Sequence, residues 1–323
     1  MNVRVFPILG LLTAALLSAC GGGGGSDSSS GTATAFIVDP ATITPASATS
    51  SQPFLDRTVP EFYAYGSTCS SATAAQSVLV TDNTVTYNDG TASAAQMKRV
   101  AQYAEAAVRT LRDKFGIAPA NGIGFDGQKL RVCAAISGSD AQTNGSAGIR
   151  TLHIGAPDGY GGLGTLILHE STHVVQAQAL NCQTQQYGWE RWLTEGMALH
   201  VASRDLPGAG ALDSLQANFA GIDGNLPFGD MDQRAAARSD RYPGYVLAVA
   251  TLLGETGKTD VDIYRFMKSV GETSGCPGDK VPYVPGQPVA GWKAAFDASF
   301  GTDLRGTGVA GSGFWALAKK YAK

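Results

Sequence analysis

The stretch from Leu163 to Leu180 carries apolar residues nearly all the way round a helical projection, at 163, 166, 167, 168, 174, 175, 177, 179 and 180, yet holds His169-Glu170-Ser171-Thr172-His173 at its centre. A helix that is apolar on every side belongs in the interior of a domain. Residues four apart on an α-helix lie one above the other on the same face, so the two imidazoles converge. Buried imidazoles and a carboxylate need polar partners, and a shared cation would satisfy them. The chain has only 4 His in 323 residues, which makes a chance pair at this spacing a poor explanation. H-E-x-x-H on a helix is the spacing at which two His side chains reach one zinc ion while the Glu handles a proton.

A zinc site kept open for chemistry normally has three protein ligands. Trp192-Leu193-Thr194-Glu195-Gly196-Met197-Ala198 offers the third. Glu195 lies far enough beyond His173 for the first helix to end, the chain to turn, and a second helix to begin. H-E-x-x-H followed by W-L-x-E-G-x-A resembles the gluzincin zinc peptidases, and especially the bacterial peptidase-MA-like families. The resemblance implies that His169, His173 and Glu195 hold one Zn2+, with Glu170 as general base and proton shuttle in peptide-bond hydrolysis. It also implies an α+β, zincin-like two-lobed domain: a small strand-rich N-terminal lobe, a helical C-terminal lobe, and the active-site helix between them.

The sequence departs from the thermolysin-like pattern at Leu199, where those relatives place an Asp that orients a ligand His. The groups behind the ligands are therefore unassigned. His200 and Asp205 are the nearby candidates, with structural roles as the alternative. Further on, Ser239-Asp240-Arg241-Tyr242-Pro243-Gly244-Tyr245 leads into an apolar helix from Val246 to Gly254. In the resembling families a Tyr at the head of this helix can donate to the developing oxyanion. That implies Tyr242 first and Tyr245 second, against the reading of an ordinary aromatic at a helix start. Arg241 is read as a surface arginine, with a substrate carboxylate as its alternative partner.

Residues 1–19 read as an export signal, with Arg4 near the front and an apolar core from Val5 to Leu17 that is too short for a normally flanked membrane span. Leu17-Ser18-Ala19-Cys20 resembles a bacterial lipobox, which implies lipidation of Cys20, with ordinary signal cleavage as the alternative. Gly21 leans the expected location toward the outer membrane of the cell envelope. Residues 20–54, rich in Gly and Ser and then in Ala, Thr and Pro, read as a flexible tether, and 55–323 as the folded domain. The net charge of -3 and the lack of any Lys/Arg cluster argue against a nucleic-acid partner. The expected partners are a peptide or protein substrate and, through the lipid, the membrane.

With Cys20 assigned to lipid, Cys69, Cys133, Cys182 and Cys276 form an even set suited to an oxidising compartment. Of the three possible pairings, Cys69–Cys133 with Cys182–Cys276 keeps each bridge within one half of the chain. Ser77 to Tyr87 alternates as two short strands around a Thr81-Asp82-Asn83 turn, and Gln96 to Phe115 has helical spacing with Gly116 as its stop. Residues 129–136 and 150–155 read as strands. The second is expected to edge the cleft and pair with an extended peptide, with His153 as a possible cleft residue. Trp189 to Arg204 reads as the second metal helix, Pro207 to Pro227 as a long surface loop, and Val261–Val270, Gly291–Phe300 and Gly313–Lys323 as closing helices. The expected activity is zinc-dependent endopeptidase chemistry. A non-catalytic, zinc-stabilised or metal-free binding lipoprotein is the alternative, as is a protease with a chaperone-like role in envelope quality control.

Overall fold

The computed structural model describes residues 36–51, 76–88, 90–135, 141–146, 149–155, 162–180, 191–203, 205–219, 242–274, 292–301 and 312–323. The described chain is mixed α+β. Six strands, β1 (Ala46–Ser50), β2 (Gln76–Val80), β3 (Thr84–Asn88), β4 (Leu130–Ala135), β5 (Ala141–Ser146) and β6 (Ile149–Gly155), form one sheet in the order β1-β2-β3-β4-β6-β5. β2 runs antiparallel to both its neighbours, β1 and β3; β3, β4 and β6 are parallel, and β5 runs back antiparallel to β6.

The parallel step from β3 to β4 requires a crossover, and α1 (Ala94–Phe115) supplies it. Ser93 and Gln96 close the start of α1 with a reciprocal capping box, and Gly116 ends it in the left-handed conformation at φ 64°. The period-two alternation of β4 then divides the core. Leu130, Val132 and Ala134 join the cluster with Val100, Ala104, Val108 and Leu111 of α1, whereas Cys133 joins Val78 and Tyr87 in a separate one. Cys133 is disulfide-bonded. The pairing expected with Cys69, like the expected Cys182–Cys276 bridge and Cys20, falls on residues outside those described.

Two boundaries differ from the sequence expectation. The folded domain begins by residue 36, within the stretch expected to be tether: β1 pairs with β2 from Ala46↔Val80 to Ser50↔Gln76. Phe36 meets Tyr103 edge-on with ring centroids 5.6 Å apart, the Ile37 N–H donates to Thr110 Oγ1, and Gln102 Nε2 donates to the Ile43 carbonyl. A Ser/Thr/Ala-rich strand looks like a linker because its stabilisation comes from the neighbouring ladder rather than from its own side chains. The stretch expected as a loop from 207 to 227 contains a short 3-10 turn at Ala209–Ala211 and α4 (Leu212–Phe219), anchored by buried Leu212 and Leu215.

The helical part comprises α2 (Leu163–Leu180), α3 (Arg191–Val201), α4, α5 (Tyr242–Thr256), α6 (Asp260–Ser274), α7 (Trp292–Phe300) and α8 (Ser312–Ala318). α2 is central: it packs on α1, β5, α3 and α6. Trp192 of α3, Phe266 of α6, and Phe296 and Phe300 of α7 form an aromatic knot, with ring centroids 4.9 to 6.3 Å apart for the touching pairs. At two crossings only glycine fits. A Cβ at Gly196 would lie 2.4 Å from the Tyr245 carbonyl oxygen, and one at Gly271 would lie 2.4 Å from the Ala179 carbonyl oxygen. Those contacts set α3 against α5 and α6 against α2 at backbone distance. Among the described residues no helix is long and apolar enough to cross a membrane.

Candidate metal centre

α2 presents His169 and His173 one turn apart, and the second turn of α3 presents Glu195 to them; all three are buried. The imidazoles stand nearly perpendicular, 89° between ring planes, with their Nε2 atoms 3.1 Å apart. Glu195 Oε2 lies 3.3 Å from each Nε2 and has no other hydrogen-bond partner among the described residues. Bonds of 2.0–2.1 Å at tetrahedral angles would place ligand atoms about 3.3 Å apart. The three donor atoms therefore already stand at the separation that one small cation between them requires. This buried His-His-Glu group could hold a metal ion.

The electrostatics favour positive charge at the same point. Burial alone would lower the His173 imidazolium, but the Glu195 carboxylate beside it, with help from Glu170 and Gln176, pushes it up to about 9. Burial likewise works against the Glu195 carboxylate, yet the His173 and His169 imidazoles hold it well below the usual carboxylate range. A buried carboxylate that holds a proton on the neighbouring imidazoles in this way would bind a divalent cation in the proton's place.

Glu170 is buried and approaches from the side. Its Oε1 lies 3.9 Å from His169 Nε2, and it falls outside the group of converging donors. The arrangement thus separates a carboxylate that faces the donor cluster from one that borders it.

Of the other sequence candidates, Tyr242 begins α5 and is half-buried, and Tyr245 is buried, their rings 5.9 Å apart. The close contact of Gly196 with Tyr245 brings the first turn of α5 against α3 beside Glu195. His200 does not reach His169 or His173. Its Nδ1 pairs at 2.8 Å with Asp260, whose second oxygen takes Lys114 Nζ at 2.8 Å, so the ends of α1, α3 and α6 meet there. Asp205 pairs with Lys323 at the surface. Arg241 lies outside the described residues. His153 sits in β6 opposite Cys133 and Gln142, and its side chain is not among those described.

The strand expected to edge a cleft is not an edge strand. Residues 150–155 lie inside the sheet between β4 and β5, and the outer strand next to α2 is β5. Ala141-Gln142-Thr143-Asn144-Gly145-Ser146 has little of the β-branched or aromatic content that marks a strand, so its pairing is set by the ladder with β6. Sequence reasoning also missed Gln176, buried one turn beyond His173 and hydrogen-bonded to its Nδ1 at 2.8 Å. The i, i+3 spacing from a candidate ligand was the available signal. No protein-family profile matches the chain, and no curated protein matches it.

Proposed function

We propose that the chain is a zinc-dependent peptide hydrolase of the gluzincin type, with His169, His173 and Glu195 as the ligands of one Zn2+ in a zincin-like, two-lobed domain. The observation that carries this reading is the triangle of donor atoms at 3.1 to 3.3 Å, bordered by a second, non-converging carboxylate, Glu170, on the helix of the two histidines. A purely structural zinc site is normally closed by a fourth protein ligand and needs no carboxylate beside it. Zinc bound there would supply Lewis acidity to a carbonyl and lower the pKa of a water.

The chain's own residues do the rest. Glu170 takes a proton from the attacking water as its oxygen bonds to the peptide carbonyl carbon, then hands that proton to the amide nitrogen as the C–N bond breaks. Tyr242, or Tyr245 one turn on, donates its O–H to the oxygen on which negative charge develops. An extended peptide pairs with β5 by main-chain hydrogen bonds, which position the substrate with little demand on its side chains. Lipidation at Cys20 would place this activity in the cell envelope.

The test is metal content and unbiased peptide-library cleavage of the full-length protein, wild type beside Glu170→Gln. One zinc in each with cleavage only by wild type is the expected result. One zinc in each and no cleavage by either would favour a binding lipoprotein, and no zinc in folded wild type supplied with metal would overturn the reading.

A further inference from the structure

Gln176 connects the two helices that carry the candidate ligands. Its Nε2 donates to the Thr194 carbonyl at 2.8 Å, and its Oε1 faces His173 Nδ1 at 2.8 Å. A carbonyl only accepts, so the amide must turn its NH2 toward residue 194 and its oxygen toward residue 173. That oxygen in turn only accepts, so His173 carries its hydrogen on Nδ1. Once the ring is neutral, as a metal requires, the remaining nitrogen, Nε2, is the one with the lone pair, and it is Nε2 that faces His169 Nε2 and Glu195 Oε2. Thr194 is the neighbour of Glu195, so the same amide ties the backbone beside the third donor to the ring of the second. His169 has no such device: its Nδ1 is buried without a hydrogen-bond partner among the described residues.

We propose that Gln176 is a positioning residue of the metal centre, which presets His173 as the Nδ1–H tautomer with Nε2 toward the ion. The proposal rests on reading His169, His173 and Glu195 as metal donors. Outer partners of ligand histidines act by fixing tautomer and ring orientation, and their loss typically costs about 10- to 100-fold in metal affinity.

The test is zinc affinity by competition with a chromophoric chelator, in full-length wild type, Gln176→Leu and Gln176→Glu, with folding checked by circular dichroism. Leu removes both hydrogen bonds, whereas Glu keeps an acceptor for His173 and gives up the donor to Thr194. The expected result is a loss of about 10- to 100-fold in Gln176→Leu and recovery in Gln176→Glu to within about threefold of wild type. Leu within about twofold of wild type would overturn the proposal. Equal losses in Leu and Glu would also overturn it, because a mere tie between helices would behave that way. A wild type that binds no zinc would instead sink the metal reading beneath it. Should Gln176→Leu not fold, imidazole 15N shifts of zinc-loaded wild type decide the matter: His173 bound through Nε2 with a protonated Nδ1 supports the assignment, and His173 bound through Nδ1 overturns it.

Discussion

At the scale of single residues, the site divides into side chains that would hold an ion and one that would move a proton, and substitution should separate them. Glu170→Gln keeps the size and burial of the side chain but cannot accept a proton from water. It should retain one zinc per chain and lose about 100-fold or more in hydrolysis. Glu195→Ala and His173→Ala remove donors that stand 3.1 to 3.3 Å from their neighbours, so each should weaken zinc itself, by more than the roughly 10- to 100-fold of an outer-shell change. Elemental analysis after dialysis checks both, and full zinc retention in Glu195→Ala would remove it from the ligand set. The two histidines and Glu170 were legible in the sequence because their geometry is local, fixed by one turn of one helix. Gln176 was not, because its role depends on the carbonyl of Thr194 in a different helix. His200 and Asp205 were legible only as polar residues near the motif, and their partners, Asp260 and Lys323, are distant in sequence.

At the scale of elements, the position of Glu195 depends on how closely α3 approaches α5. The crossing at Gly196 leaves no room for a methyl group, since a Cβ there would sit 2.4 Å from the Tyr245 carbonyl oxygen and 2.7 Å from Val249 Cγ2. Gly196→Ala must push the helices apart, which overpacking data put at about 1–3 kcal/mol. The displacement would start at the residue next to the proposed ligand. The expected outcome is a lower thermal midpoint in metal-free protein and, separately, a weaker zinc affinity than that loss of stability accounts for; unchanged zinc affinity would show that α3 carries Glu195 independently of this contact. The elements themselves were readable where periodicity was strong: α2 spans Leu163–Leu180 as expected, and α1 extends the expected helix by two residues to Ala94. β1, β5 and α4 were not, because little in their own side chains marks them. β1 and β5 are polar, small-residue stretches whose conformation is imposed by a partner strand, and α4 is a short helix held by Leu212 and Leu215 alone among its described side chains.

For the molecule as a whole, two buried carboxylates outside the metal centre join parts of the chain that are far apart in sequence. Glu105 of α1 accepts from Thr81 Oγ1, Asn83 N, Asn83 Nδ2 and Arg109 Nε, which fastens the β2–β3 turn to the crossover helix. Burial alone would raise its pKa, but these donors outweigh burial and hold it below the ordinary value. Asp260, at the start of α6, is buried likewise and is held low by His200 and then Lys114. A carboxylate whose folded-state pKa lies below its unfolded one binds fewer protons when folded, so the stabilisation is complete above the unfolded value, near about 4, and is lost as pH falls through the folded value. The thermal midpoint of wild type should therefore hold steady down to about pH 5 and fall steeply below about pH 4. Glu105→Ala leaves the buried Asn83 amide without its acceptor, while the solvent-facing Arg109 keeps Asp82 as a partner; losing the hydrogen bonds to a buried charged group costs about 1.5–3 kcal/mol at neutral pH. Because that variant has already lost what acid would remove, the gap between its melting curve and that of wild type should narrow as pH falls from 5 to 3, a window estimated from carboxylate pKa values of about 4. A gap that stays constant across the series would mean that Glu105 acts through packing and not through its charge.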